Sequence, residues 1–187
     1  VVKEFLKHNG LGEEDLSGFL SGLVPTQVKK GAVFLSFGQV SRYLALVERG
    51  YLRTYHLNET GLEVTTDFAR PVGFCGSYYS FYQQSASFEC VEAITDCELQ
   101  LVSFDMLQKL YSKSFSMNVF GRKVLEKACL ERDLRLKKVM YLSAKEKYQW
   151  FLDNYPDLYR VTKLTHIASF LGMKLETLSR VRRKFVS

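Results

Sequence analysis

Between residues 31 and 76 the glycines Gly31, Gly38, Gly50, Gly61, Gly73 and Gly76 punctuate short apolar runs that recur at roughly ten-residue spacing. The runs, at 32–35, 43–47, 51–57, 64–68, 88–94 and 99–102, are rich in β-branched and aromatic residues. Strands this short and this evenly spaced form a β-sandwich or barrel, and the repeated unit of apolar run and glycine turn fits a jelly roll. Asn58-Glu59-Thr60-Gly61 stands between two runs and predicts a hairpin turn. Residues 1–23 read differently. Phe5 and Leu6, then Leu16, Phe19, Leu20 and Leu23, recur at helical spacing, and Pro25 closes that region.

After the strands the period changes to that of a helix. Ser103 is placed to cap a helix that carries Phe104, Leu107, Leu110 and Tyr111 on one face. Residues 117–142 then run without proline and with Gly121 as their single glycine, which predicts one long helix. Met117, Phe120, Val124 and Ala128 form a stripe, Leu134 and Val139 extend it, and both faces of 125–136 carry apolar residues. A stripe longer than one domain can cover is read as a dimer seam. Ser143-Ala144-Lys145-Glu146 is a capping box that starts a further helix through Trp150 and Leu152, ending near Pro156.

Residues 161–184, VTKLTHIASFLGMKLETLSRVRRK, read as two amphipathic helices joined at Gly172. Ile167, Ala168 and Leu171 bury one face of the first, and Leu178 and Val181 give the second a narrow apolar seam. The helix from Ser143 is expected to pack against this pair. From Arg160 onward seven basic residues face one acid, Glu176, a balance equal to the net +6 of the whole chain. All the excess positive charge therefore sits on one helical pair, and a helix with a narrow seam and a guanidinium-rich outer face suits the DNA major groove.

Other chemistry finds little support. No apolar run is long enough to span a membrane, and VVKEFLKHNG is too charged for a signal peptide, so cytoplasmic residence is expected. Val1 is not an initiator methionine, so residues before it are expected to have been lost or left out. Cys75, Cys90, Cys97 and Cys129 form no C-x-x-C pair and are expected to be buried or half-buried thiols, not ligands of a metal or iron–sulfur cluster. His8, His56 and His166 are far apart, and only His56 lies among the strands, too few for the metal triad of a cupin-like enzyme. No catalytic residue, metal or cofactor is expected.

In this order, β-roll, long helix and helix-turn-helix resemble the Crp/Fnr family of bacterial transcription regulators along essentially the whole chain. The resemblance is carried most by IASFLGMKLETLSRVRRKF at 167–185 and YLALVERGYLRTYHLNETGLEVTTDFA at 43–69. It implies an α+β chain: an N-terminal double-stranded β-helix (jelly roll) with flanking helices at 1–114, a dimerisation helix at 115–142 and a helix-turn-helix domain at 143–187. It implies a homodimer, through Met117, Phe120, Val124 and Ala128, that binds double-stranded DNA, with RNA polymerase and a small-molecule effector as further partners.

The resemblance implies a recognition helix at about 175–184. Glu176 and Arg180, four apart, would face base edges, Arg180 on guanine and Glu176 on cytosine. Ser179 and Arg183 would reach backbone or flanking bases, Leu175 a thymine methyl, and Thr162, Lys163, Thr165 and Lys174 phosphates. The chain stops shortly after this helix, so fewer backbone contacts and heavier reliance on dimer symmetry are expected. Nucleotide-binding members of the family carry a Phe-Gly-Glu and Arg-Ala phosphate cassette. Here Phe74, Cys75, Gly76, Ser77, Tyr78 and Tyr79, then Ser85, Ala86 and Ser87, stand in its place, and no Lys or Arg occurs between Arg70 and Lys109. A cyclic phosphate would lack a charge-assisted bond worth roughly 1.5–3 kcal/mol, so cyclic AMP is not the expected effector. The aromatic residues of 73–94 either fill the old pocket as core or line one for a less charged ligand. The competing function is a ligand-binding or protein-interaction module with an incidental basic tail.

Overall fold

The computed structural model describes residues 2–186. Helices α1 (Val2–His8) and α2 (Glu13–Ser21) precede eight strands: β1 (Val24–Val28), β2 (Val33–Leu35), β3 (Tyr43–Arg49), β4 (Leu52–Leu57), β5 (Glu63–Ala69), β6 (Phe74–Cys75), β7 (Cys90–Ala93) and β8 (Cys97–Ser103). Helix α3 (Tyr78–Gln83) lies between β6 and β7. After β8 come α4 (Phe104–Lys113), α5 (Phe115–Tyr141), α6 (Ala144–Asn154), α7 (Leu158–Val161), α8 (Leu164–Phe170) and α9 (Leu175–Val186).

The strands form two four-stranded sheets, ordered β1-β8-β3-β6 and β2-β7-β4-β5. β8 is central, with β1 antiparallel on one side and β3 on the other. The chain does not close its leading helical region at Pro25; β1 runs through that residue. Proline has no N–H to give a ladder, but β1 is an edge strand, where one side needs no partner.

By compactness the chain falls into two units, Val1–Thr54 with Phe68–Ala128, and Tyr55–Asp67 with Cys129–Ser187. In the first, β3 explains why 43–47 reads as an unbroken apolar run. Leu44, Ala45, Leu46 and Val47 are all buried because the strand is covered on both faces. Ala45 and Val47 join Leu35, Leu52, Val91, Leu99 and Leu101 between the sheets. Leu44 and Leu46 join Leu6, Leu16, Phe19, Phe81, Leu107, Met117 and Phe120 in a second, helical layer. Full burial of each such side chain contributes roughly 1.5–3 kcal/mol.

Ser103 caps α4 as read, accepting from the Met106 N–H at 3.1 Å. The long helix is continuous over 27 residues. Near its start the phenol of Tyr111 lies against Gly121, where a Cβ would stand 2.0 Å from the Tyr111 oxygen. Tyr111 is hydrogen-bonded to Tyr82 of α3, and burial pushes both phenols above their ordinary range.

The second unit holds the tip of the β4–β5 hairpin. Its turn forms as read: Asn58 Oδ1 accepts from Thr60 and Leu62 N–H groups at 3.0 and 2.9 Å, and its carbonyl accepts from Gly61 N–H at 2.9 Å.

The Gly121 contact makes a prediction. Gly121→Ala removes the space the Tyr111 ring occupies and should destabilise the chain by about 1–3 kcal/mol in chemical denaturation. An unchanged midpoint would show that the ring has room to move away.

Candidate nucleic-acid interface

The helical module of the second unit is built from its caps inward. Ser143 and Glu146 close the capping box at α6: Ser143 N–H donates to Glu146 Oε2 at 2.8 Å, and Glu146 N–H to Ser143 Oγ at 3.4 Å. Those hydrogen bonds hold the Glu146 carboxyl below its ordinary range. The buried face of α6 carries Tyr148 and Phe151. Phe151 and Tyr155 stack, and both rings meet Phe170 of α8. Tyr148 meets Phe185 of α9 edge-on at 5.2 Å. So α6 is the third member of the pair, as the sequence suggested. The one-turn α7, which carried no sequence signal, adds Leu158 to the core.

The turn between α8 and α9 depends on Gly172. Met173 N–H reaches Ala168 O at 2.9 Å and Gly172 N–H reaches Ser169 O at 3.1 Å. This is the paired bonding of a Schellman motif, and it needs the φ of 61° that Gly172 takes. A Cβ there would also stand 2.8 Å from Val139 Cγ1.

The motif aims α9. Leu178 is fully buried, and Val181 and Phe185 are half-buried beside it. Lys174, Leu175, Glu176, Arg180, Arg182, Arg183 and Lys184 are exposed, while Ser179 is half-buried. Glu176 and Arg180 share a face. Lys174 precedes the helix, its carbonyl accepting from Leu178 N–H at 3.1 Å. Arg182 lies 5.7 Å from the Tyr159 ring centroid, which draws that guanidinium back toward its own module. At the start of α8, Lys163 and Thr165 are exposed. Thr162 is half-buried and its hydroxyl oxygen is enclosed, so it is not presented outward with them.

Arg135 of α5 also belongs to this unit, and nothing local in the sequence marks it. Its Nη2 donates to Phe170 O at 2.8 Å and to Thr65 O at 3.3 Å, and its Nε donates to Phe170 O at 3.2 Å. Burial lowers its pKa, with Asp67 opposing the shift.

The residues at 74–79 and 85–87 lie in the first unit. Cys75, Gly76, Ser77 and Ser87 are buried, Phe74, Tyr78 and Ser85 half-buried, and Tyr79 and Ala86 exposed. Ser77 precedes α3, a helix that the aromatic run did not announce. Ser80 Oγ accepts from Ser41 N–H at 2.8 Å, and Ser87 Oγ donates to Glu89 O at 2.8 Å. Gly38 N–H reaches Ser87 O and Ser87 N–H reaches Gln39 O, tying the segment to the strand connection opposite. The aromatic residues do not fill the space between the sheets: Phe74, Tyr78, Phe81 and Tyr82 pack in the helical layer, and Tyr79 and Phe88 are exposed against each other. Among the described residues the one buried charged side chain is Arg53, whose guanidinium pairs with Glu92 at 2.6 Å.

Of the four residues read as a dimer seam, Met117 and Phe120 are fully buried in the core of their own unit and Val124 and Ala128 are half-buried. The exposed apolar residues of α5 lie further on: Leu125, Leu130, Leu134, Leu136, Met140 and Tyr141. Cys129 is exposed among them, contrary to the buried or half-buried thiol expected; Cys75, Cys90 and Cys97 are buried. No group of His, Cys, Asp or Glu among the described residues could hold a metal ion, and no helix is long and apolar enough to cross a membrane.

Residues 25–114 match the family described as Cyclic nucleotide-binding domain. The solved structure of FixK2 from Bradyrhizobium japonicum is similar at 20% identity, covering 88% of this chain and 84% of that one, with a TM-score of 0.72. CLP, the c-di-GMP responsive global regulator of Xanthomonas campestris, is similar at 17% identity, covering 94% and 92%, with a TM-score of 0.71. TTHA1359, a Crp/Fnr-family transcriptional regulator of Thermus thermophilus, is similar at 17% identity, covering 87% and 86%, with a TM-score of 0.68. The chain shares the fold of these three structures. No curated protein matches it by sequence.

The capping box is the module's most separable local element. Ser143→Ala should cost about 1 kcal/mol of stability, read as a lower thermal midpoint. A loss no larger than the scatter between preparations would mean that water replaces the cap.

Proposed function

We propose that this chain is a dimeric, DNA-binding transcription regulator of the Crp/Fnr type that does not respond to cyclic AMP. The observation that carries the reading is the exposed face of α9, with Glu176, Arg180, Arg183 and Lys184, set by the Gly172 turn on an apolar three-helix core. A guanidinium at Arg180 can give guanine O6 and N7 a bidentate pair, and a carboxylate at Glu176 can accept from cytosine N4, each worth about 1–3 kcal/mol of discrimination. Neither side chain takes part in an ion pair among the described residues, so neither has to break one to reach a base. Lys163, Thr165, Lys174 and Arg183 supply the positioning contacts to phosphate. Dimerisation is supported by the exposed apolar residues of α5 from Leu125 to Tyr141, and two copies would read half-sites about one helical turn, roughly 34 Å, apart. No specific observation favours the protein-interaction reading.

Fluorescence anisotropy on a duplex recovered by in vitro selection tests the proposal. Affinity should fall steeply with salt as counterions are displaced. Arg180→Ala should lose the preference for the selected site over random duplex, by roughly tenfold or more, while retaining non-specific binding. Equal loss of both would count against base reading.

The effector half of the proposal rests on charge. No cation lies in the chain between Arg70 and Lys109, and the buried Arg53 is already neutralised by Glu92. Titration calorimetry should detect no micromolar cyclic AMP binding; a saturable micromolar isotherm would overturn it.

A further inference from the structure

Arg135 touches two segments far apart in sequence with one group. Its Nη2 and Nε both donate to Phe170 O, the last carbonyl of α8, and Nη2 also reaches Thr65 O on β5. The guanidinium carbon lies 4.4 Å from the Phe170 ring centroid, in cation–π range. Thr65 completes the arrangement. It is fully buried, and its N–H donates to Ser169 Oγ at 3.1 Å, whose own hydroxyl donates to His166 O at 3.0 Å. One turn further along α5, on the same face, Val139 fills the space that a side chain at Gly172 would need. The carboxyl end of α8 and the turn after it therefore meet α5 at two successive levels. Meanwhile the outer face of α9 stays uncovered.

We infer that Arg135 is a positioning residue for DNA recognition: it fixes the seat of the helix-turn-helix on the long helix by joining α8, β5 and α5 through one guanidinium. The inference rests on the proposed DNA-binding function. A planar fork of five donors can serve two carbonyls and stack on a ring at once; a lysine ammonium cannot do all three. Because α9 remains exposed, the contact orients the reading helix and does not mask it. In a twofold molecule the separation of the two reading helices depends on how firmly each is seated on its own long helix. The property that Arg135 controls is thus discrimination between half-site spacings, not the affinity of one head for one half-site.

The experiment uses the full chain and the duplex recovered by selection with the wild-type protein. Affinities are measured for the selected palindrome, for the same half-sites separated by one or two extra base pairs, and for a single half-site. Wild-type protein should penalise the altered spacings by roughly tenfold, equivalent to about 1.4 kcal/mol. Arg135→Ala should remove most of that penalty while changing single half-site affinity by no more than about twofold, within the scatter of additivity. Arg135→Lys should restore part of it, and Ser169→Ala should shift it the same way from the other side of Thr65. Parallel loss on full and single sites, or an intact spacing penalty in the variants, would overturn the inference. If Arg135→Ala does not fold, Arg135→Lys and Ser169→Ala carry the same comparison. Failure of the wild-type protein to bind any duplex would instead remove the DNA-binding reading, so the two failures are distinct.

Discussion

A helix of seven residues does not persist in water by its own hydrogen bonds, because nucleation costs more than so few bonds return. α8 is such a helix, and the orientation of α9 depends on it. Its last carbonyls have no partner within the helix and must find one elsewhere. Ala168 and Ser169 are answered by the N–H groups of Met173 and Gly172, and Phe170 by Arg135. Side-chain packing does the rest, through Ile167, Ala168 and Phe170 against α6 and α9. Remove the answers to those carbonyls and the direction of α9 is no longer defined, however favourable its charge.

The parts of the molecule that rest on neighbouring residues could be read directly from the chain. The capping box at Ser143, the Asn58–Gly61 turn and the left-handed glycine at 172 each join groups within six positions, so the signal is local. Features set by tertiary context were not legible. β1 hid behind Pro25 because edge position, which excuses a missing N–H, is a property of the sheet. The aromatic run before Gln83 shows no clean period, and α3 went unread. For α5, the stripe of Met117 and Phe120 told that a face is buried but not against what; their own helical layer takes them. Arg135 and Thr65 are 70 positions apart, and no pattern along the chain could join them.

In the first unit the core between the sheets and the polar contacts of the 73–94 segment are built differently. Between the sheets the filling is largely small and apolar, with Ala45, Ala69, Ala93, Cys75 and Cys97. The aromatic residues of 73–94 lie in the other layer or face outward. Serines hold the loops there with neutral hydrogen bonds, each worth about 1 kcal/mol. The fold of the roll alone does not assign an effector.

The contact at Gly121 limits how α5 can move. A helix turns its side chains by 100° for each residue, so any rotation of α5 about its own axis would bring Phe120 or Arg122 toward the place where the Tyr111 phenol now rests. Both are far larger than the hydrogen they would replace. The base of the long helix is thus keyed like a shaft in a slot: it can bend or slide with its bearing, but twisting it requires Tyr111 to leave its seat and release Tyr82.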